Sequence, residues 1–258
     1  MARFGFCLVA VSLALAACGQ STARPQVLSA EPRITGRLTT FAAASLTESF
    51  DDLKARLRAS SPGLSLTYSF GGSGALATQI QQGAPADVVA TADTASMKKL
   101  TDAGLVDAPM TFARNKLEIL VESGNPKCVR GLSDLSRGDL KVVLADETVP
   151  AGKYSAQALS AAGVTVNPAS KEGDVKSAVA RVITGEADAT VVYVTDVSAV
   201  GPRGQGVAIP DAMNIVAEYP IAVVRSTGNP TGATAFVNEV VKGAGQDALH
   251  NHGFLAAP

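Results

Sequence analysis

Apolar residues in this chain follow two periods in turn. Residues 38–42 make a short β-rich run, and Leu46, Phe50, Leu53 and Leu57 then recur at i, i+4, i+7 and i+11, one face of an amphipathic helix. The same hand-over predicts a strand over 64–70 before a helix carrying Leu76 and Ile80, and a strand over 87–91 before a helix carrying Met97 and Leu100. After a β-rich run at 117–121 the alternation resumes. It predicts a strand at 141–145, a helix from about 152 to 162 stopped by Gly163, and a strand at 164–166. A helix with Val175, Ala178, Val179 and Val182 on one face and a strand at 189–194 follow. Residues 210–214 interrupt before a strand over 215–224, and 233–242 gives a last helix with a short tail that rejoins the first lobe. Such alternation predicts an α/β chain with a mainly parallel sheet, arranged in two lobes.

The first twenty residues stand apart. Arg3 precedes an apolar run over 4–15, too short as a helix to span about 30 Å of hydrocarbon, so 1–17 reads as an export signal. The run ends in Leu15-Ala16-Ala17-Cys18, which resembles the bacterial lipobox. On that reading Cys18 is lipidated, 18–32 is a flexible tether rich in Ser, Ala, Pro and Gln, and the mature protein is held on the extracytoplasmic side of the cell membrane. With Cys7 in the signal and Cys18 as anchor, Cys128 has no partner, and the fold is expected to do without disulfides.

Composition narrows the ligand. Charged residues make up 17% of the 258, below the roughly 25% of soluble domains, and 22 Lys+Arg against 23 Asp+Glu leave a formal charge of -1. No basic field exists for nucleic acid. Trp is absent, with 4 Tyr and 8 Phe, so a stacking groove for sugars or bases is poorly supplied and a small polar ligand fits better.

Four segments place small or polar residues where a strand or loop passes into a helix: Ala42-Ala43-Ala44-Ser45-Leu46-Thr47, Gly71-Gly72-Ser73-Gly74-Ala75, Val149-Pro150-Ala151-Gly152 and Gly173-Asp174-Val175. Helix N-termini carry unpaired N–H groups and partial positive charge, so several meeting at one point make an anion site without Lys or Arg. Each also has a local explanation: Ser45 with Glu48 fits a capping box, Asp174 is an ordinary N-cap, and glycines close turns. The Gly71–Ala75 segment is one residue short of a nucleophile elbow, but the two histidines, His250 and His252, lie in the last nine residues, a poor place for a firmly held general base. His250-Asn251-His252 lacks further metal ligands, Gly152-Lys153 is not a P-loop, and Gly201-Pro202-Arg203-Gly204-Gln205-Gly206 reads as a turn. No carboxylate pair is marked out.

In order along the chain, Phe41-Ala42-Ala43-Ala44-Ser45-Leu46-Thr47, Ser69-Phe70-Gly71-Gly72-Ser73, Gln79-Ile80 with Gly83-Ala84-Pro85-Ala86-Asp87, Val149-Pro150-Ala151-Gly152 and Val191-Val192-Tyr193 closely resemble the periplasmic molybdate-binding proteins of ABC importers. The resemblance implies a two-lobed periplasmic-binding-protein (venus flytrap) fold with crossover strands at 117–121 and 219–224, lobe one being 33–116 plus 219–258 and lobe two 117–218. It also implies capture of molybdate, and of tungstate, with delivery to a permease and its ATPase. The chain would act as a monomer, with no cofactor, no metal cation and no catalysis. By motif, Ser45 and Ser73 would give hydroxyl and amide donors, Ala151 and Val175 backbone N–H groups, and Tyr193 a phenolic donor. Gly71, Gly72 and Gly74 stand where members of the family often carry Ser, which predicts a more flexible loop with Ser73 as its one hydroxyl. The alternatives are a binding protein for sulfate or phosphate, and a secreted serine hydrolase using Ser73. Phosphate keeps a proton near neutral pH and asks for an acceptor, whereas the five residues named are all donors.

Overall fold

The computed structural model describes residues 34–258 and, ahead of them, only Met1, Ala2 and Gly5. The expectations on the signal segment 1–17, on Cys18 and on the tether 18–32 lie outside the described residues. Three strand–helix units come first. They are β1 (Gly36–Ala43), a 3-10 turn over Ala44–Leu46 and α1 (Thr47–Ser60), then β2 (Leu64–Gly71) with α2 (Ser73–Gln81), then β3 (Val88–Ala90) with α3 (Thr94–Asp102). The long strand β4 (Met110–Glu122) leads into β5 (Val143–Ala145), α4 (Pro150–Ala161), β6 (Ser170–Glu172), α5 (Val175–Ile183), β7 (Ala189–Tyr193), α6 (Val194–Val200) and β8 (Gly204–Ala208). The chain returns through β9 (Val216–Val223) and ends in α7 (Pro230–Lys242), α8 (Ala244–Asn251) and β10 (Leu255–Ala256).

β4 is the pivot of the sheet. Its first part, Met110 to Lys116, runs antiparallel to β9, and from Leu117 onward it pairs instead with β7 on one side and β8 on the other. The main sheet has the order β10-β4-β9-β3-β1-β2, and β5 pairs with β6 and reaches β7 through a Val142–Ala189 bridge. The expected mainly parallel sheet is therefore corrected to a mixed one. β1–β2, β1–β3 and β5–β6 are parallel, as is the Val142–Ala189 bridge, while each contact of β4 and β9 with a neighbouring strand is antiparallel. The tail packs α8 on α1 and adds β10 beside Ala113 and Arg114.

Two further readings are corrected. Residues 164–166 form no strand; after Gly163, at φ 65°, the chain continues irregularly, and β5 takes its partner from Ser170–Glu172. That strand is Ser-Lys-Glu on a sheet edge, so its polarity hid it. The supposed turn at 201–206 is a 3-10 turn over Gly201–Arg203 followed by β8, whose Gly-Gln-Gly-Val-Ala has little β propensity and is held by pairing with β4.

The core explains the helical stripes. Phe50, Leu53 and Leu57 of α1 are buried, and Phe50 meets Tyr68, Phe112 and Phe236 at ring-centroid distances of 5.5, 6.2 and 6.3 Å. On the opposite face of the sheet, Leu76, Ile80, Met97 and Leu100 of α2 and α3 close over Phe41, Val89 and Ala222. Among the described residues no helix is long and apolar enough to cross a membrane.

Candidate functional site

The 3-10 turn after β1, the first turns of α2, α4 and α5 and the end of β7 line a small cavity. It suits one small ion. Its walls contain all five residues singled out from sequence, Ser45, Ser73, Ala151, Val175 and Tyr193, brought together from segments up to 148 positions apart. Ser45 sits in the 3-10 turn after β1, Ser73 is the first residue of α2, Ala151 the second of α4, Val175 the first of α5, and Tyr193 the last of β7.

Each helix start has a local cause. Val149 is extended and Pro150 opens α4, its fixed φ suited to that position, so the N–H groups of α4 begin at Ala151. Asp174 caps α5 by accepting from Ser177 N at 2.9 Å, and Asp93 caps α3 by accepting from Ser96 N at 2.7 Å. The first-turn N–H groups of each helix have no acceptor within the helix and lie at its positive end.

The hydroxyls on the wall are held from behind. Ser73 Oγ accepts from Ala92 N at 3.0 Å, and Ser45 Oγ lies 2.9 Å from the Tyr219 hydroxyl. The expected Ser45–Glu48 capping box does not form, since Glu48 turns to Lys176. The Tyr193 hydroxyl is buried on the cavity wall with no hydrogen-bond partner among the described residues, and burial pushes its pKa well above a phenol's ordinary value, so it stays a neutral O–H. Among the residues described as lining the cavity there is no Lys, Arg or His, and the one carboxylate, Asp174, has its oxygens engaged by Ser177 N and Oγ. The wall therefore offers donors to an anion.

Charge is supplied one layer back. Lys176, in the first turn of α5, places Nζ 2.9 Å from Asp196 Oδ1 on α6 and 2.8 and 2.7 Å from the Glu48 oxygens on α1. The Asp196 side chain is 0% exposed and also accepts from Tyr193 N at 3.2 Å. Burial lowers the Lys176 pKa, but the two carboxylates more than offset this and hold it above its ordinary value; burial raises that of Asp196. Sequence patterning carried no signal for this cluster or for Tyr219, because both depend on segments far apart in the chain.

The glycine loop departs from expectation. A Cβ on Gly72 would meet Gly173 O at 2.8 Å, and one on Gly74 would meet Thr148 O at 2.9 Å. These glycines have ordinary negative-φ backbone and are needed for room, where α2 meets the segments before α4 and α5, so the loop is closely packed rather than loose.

Neither histidine lies at the cavity. His250 is on α8, and His252 Nε2 is 3.9 Å from Asp52, so neither histidine stands beside Ser73 and the hydrolase alternative gains no support. Among the described residues no group of three or more His, Cys, Asp or Glu could hold a metal ion, and Cys128 is an exposed free thiol.

Residues 38–255 match the family model described as bacterial extracellular solute-binding protein. The chain is 40% identical over 242 residues to the molybdate-binding protein ModA of Mycobacterium tuberculosis, covering 93% of this chain and 92% of that one. Among solved structures it is similar to the periplasmic molybdate-binding protein of Azotobacter vinelandii, with TM-score 0.73 and 20% identity over 86% of this chain and 100% of the other. It is also similar to the sulfate-binding protein SubI of Mycobacterium tuberculosis, with TM-score 0.76 and 22% identity over 86% and 87%. At those identities the two structures speak for the two-lobed α/β periplasmic-binding-protein fold alone. By its family match and its 40% identical relative, the chain belongs to the bacterial extracellular solute-binding proteins.

Proposed function

We propose that this protein is an extracytoplasmic binding protein that captures molybdate, and tungstate, and delivers it to the permease of an ABC importer driven by a cytoplasmic ATPase, catalysing no reaction itself. The observation that carries the reading is the Tyr193 hydroxyl, a buried donor with no partner on the wall of a cavity otherwise lined by helix N-termini and held serines. A fully deprotonated dianion satisfies such a wall from every side. Ser45 and Ser73 give hydroxyl and amide donors, Ala151 and Val175 backbone N–H groups, and Tyr193 its phenol. Lobe one is 33–116 plus 219–258 and lobe two 117–218, and the change of partner along β4 at Lys116 and Leu117 supports a hinge there. The ligand then closes the lobes by rotation about β4 and β9. The Leu15-Ala16-Ala17-Cys18 sequence supports a lipid anchor at Cys18 on a monomeric chain.

Selectivity follows from distance and protonation. Sulfate has the charge and shape of molybdate but is smaller, so a cage spaced for the metal oxyanion leaves it with contacts beyond about 3.2 Å. Phosphate brings a proton with no acceptor to meet it.

The test is a thermal-shift series with molybdate, tungstate, sulfate and phosphate at equal concentration. Ligand at about 1,000 times its dissociation constant stabilises by roughly 4 kcal/mol, which for a chain of this size raises Tm on the order of 10 °C. Molybdate and tungstate should give that shift and sulfate and phosphate little. An equal or larger shift with sulfate or phosphate overturns the reading. Within the site, Ser73→Ala removes a charge-assisted donor and leaves Ala92 N–H without its acceptor, so calorimetry should find molybdate bound about tenfold or more weakly.

A further inference from the structure

Two ion pairs among the described residues join the proposed lobes. Lys116–Asp211 sits at the hinge, beside the point where β4 changes partners, and Asp211 is mostly open to water. The other spans the cleft at its ligand end. Lys176, in the first turn of α5, donates from Nζ to both carboxylate oxygens of Glu48, in the first turn of α1, at 2.8 and 2.7 Å. Neither residue lines the cavity. Each follows a wall residue closely, Glu48 three positions after Ser45 and Lys176 directly after Val175. A ligand that draws Ser45 and Val175 together therefore draws the two charges together.

The pair is asymmetric. Lys176 has a second partner, Asp196 on α6, 2.9 Å away and in the same lobe, so parting the lobes leaves that contact in place. Glu48 is paired, among the described residues, with Lys176 alone, and its side chain, already 38% exposed, returns to water when the cleft opens. An acid in the first turn of α1 is favoured by the helix dipole, whereas a cation in the first turn of α5 opposes it. Nothing local to α5 explains Lys176; its two carboxylate partners on other helices do. We infer that Glu48 and Lys176 form a latch, positioning residues outside the cavity whose ion pair holds the closed, ligand-bound cleft and is given up on opening, so that they set how tightly the oxyanion is held without touching it. This inference rests on reading the cavity as an oxyanion site between two lobes. Exposures of 25% and 38% place the pair between a surface bridge and a buried one, and a surface bridge alone is worth up to about fivefold in an equilibrium constant.

Calorimetry with molybdate on Glu48→Gln tests it, the change being made both in the wild type and in a background carrying Lys176→Met with Asp196→Asn, which lacks the cation but leaves no buried carboxylate bare. In the wild type Glu48→Gln should weaken molybdate binding about five- to tenfold, and in the background it should change affinity by less than about twofold. The ligand-free Tm of Glu48→Gln should fall by no more than a few degrees, because Glu48 is hydrated in the open form. Raising the ionic strength should narrow the gap between the wild type and Glu48→Gln, since a partly exposed pair is screened, and this arm needs no change at Lys176. An equal loss in both backgrounds, no loss in either, or a gap indifferent to salt would overturn the latch. So would a ligand-free Tm lowered by Glu48→Gln as far as by Lys176→Met, which would put the pair in the resting fold. A wild type that takes sulfate and no molybdate would instead remove the functional reading, and the same four proteins measured with sulfate would still decide the latch.

Discussion

Alanine at Gly72 and Gly74 together should weaken molybdate binding by about a hundredfold or more while leaving the ligand-free protein as stable as the wild type or slightly more so. Each new methyl has to fit where the backbone oxygens of Gly173 and Thr148 stand 2.8 and 2.9 Å from the Cβ position, closer than carbon and oxygen tolerate. Those oxygens belong to the segments that lead into α5 and α4, whose first N–H groups we assign to the ligand. Pushing the segments back lengthens the hydrogen bonds from Ala151 and Val175 together. Two charge-assisted bonds at roughly 1.5 kcal/mol or more each already amount to about a hundredfold. The ligand-free protein need not hold the two sides so close. Gly74 lies in the first turn of α2, where Ala is the better helix former by up to about 1 kcal/mol, so Tm without ligand should not fall. Calorimetry and ligand-free melting on one preparation separate the effects. Wild-type affinity in the double variant would mean that the bound form does not bring these backbones together, and a large drop in ligand-free Tm would mean that the glycines serve the fold rather than the closed cleft.

The same glycines mark the boundary of what the sequence discloses. Strand and helix alternation was legible because α1, α2 and α5 each bury one face, α1 and α2 against cores on opposite sides of the sheet, and burial imposes its period on the residues. The convergence of Ser45, Ser73, Ala151, Val175 and Tyr193 was legible through motifs at helix starts, where one small residue and one hydroxyl have to stand side by side. Pairing direction was not, since nothing in the pattern of β4 or β9 distinguishes a crossover strand from a hairpin strand. β8 and β6 were missed because their stability comes from a neighbour and not from their own side chains. Ser45 was given a local capping role that Tyr219, 174 positions away, takes over in the fold. Local rules fail at this point because the site is built from long-range hydrogen bonds, which leave no periodic trace.

Lys176→Met should be the most destabilising single change near the site, lowering Tm on the order of 10 °C at neutral pH, with a loss that shrinks as the pH falls. The substitution removes the cation between Glu48, which is partly open to water, and Asp196, whose side chain has no exposure. Glu48 can rehydrate and Asp196 cannot. Removing one partner of a buried pair costs about 3–5 kcal/mol, and the lower end applies because Lys176 itself is one-quarter exposed, which at 2–4 °C per kcal/mol gives the stated drop. The sign with pH follows from linkage. The Asp196 carboxyl already has a folded-state pKa raised above its ordinary 3.8 by burial, against the pull of Lys176, and without that cation it rises further. A group whose pKa is higher folded than unfolded contributes stability below its unfolded pKa and loses it as pH rises through the folded one. The variant should therefore approach the wild type in Tm as pH drops from 7 toward the carboxylate range, where Asp196 becomes a neutral acid. Asp196→Asn in the same background supplies that neutral group at every pH and should restore much of the lost stability at pH 7. The change also reaches the ligand, because Asp196 holds Tyr193 N at the start of α6, so molybdate affinity should fall with stability and recover with it. Melting curves for the single and double variants between pH 4.5 and 8 decide it: a deficit independent of pH, with no rescue by Asp196→Asn, would place the role of Lys176 in packing its aliphatic stem rather than in pairing a buried charge.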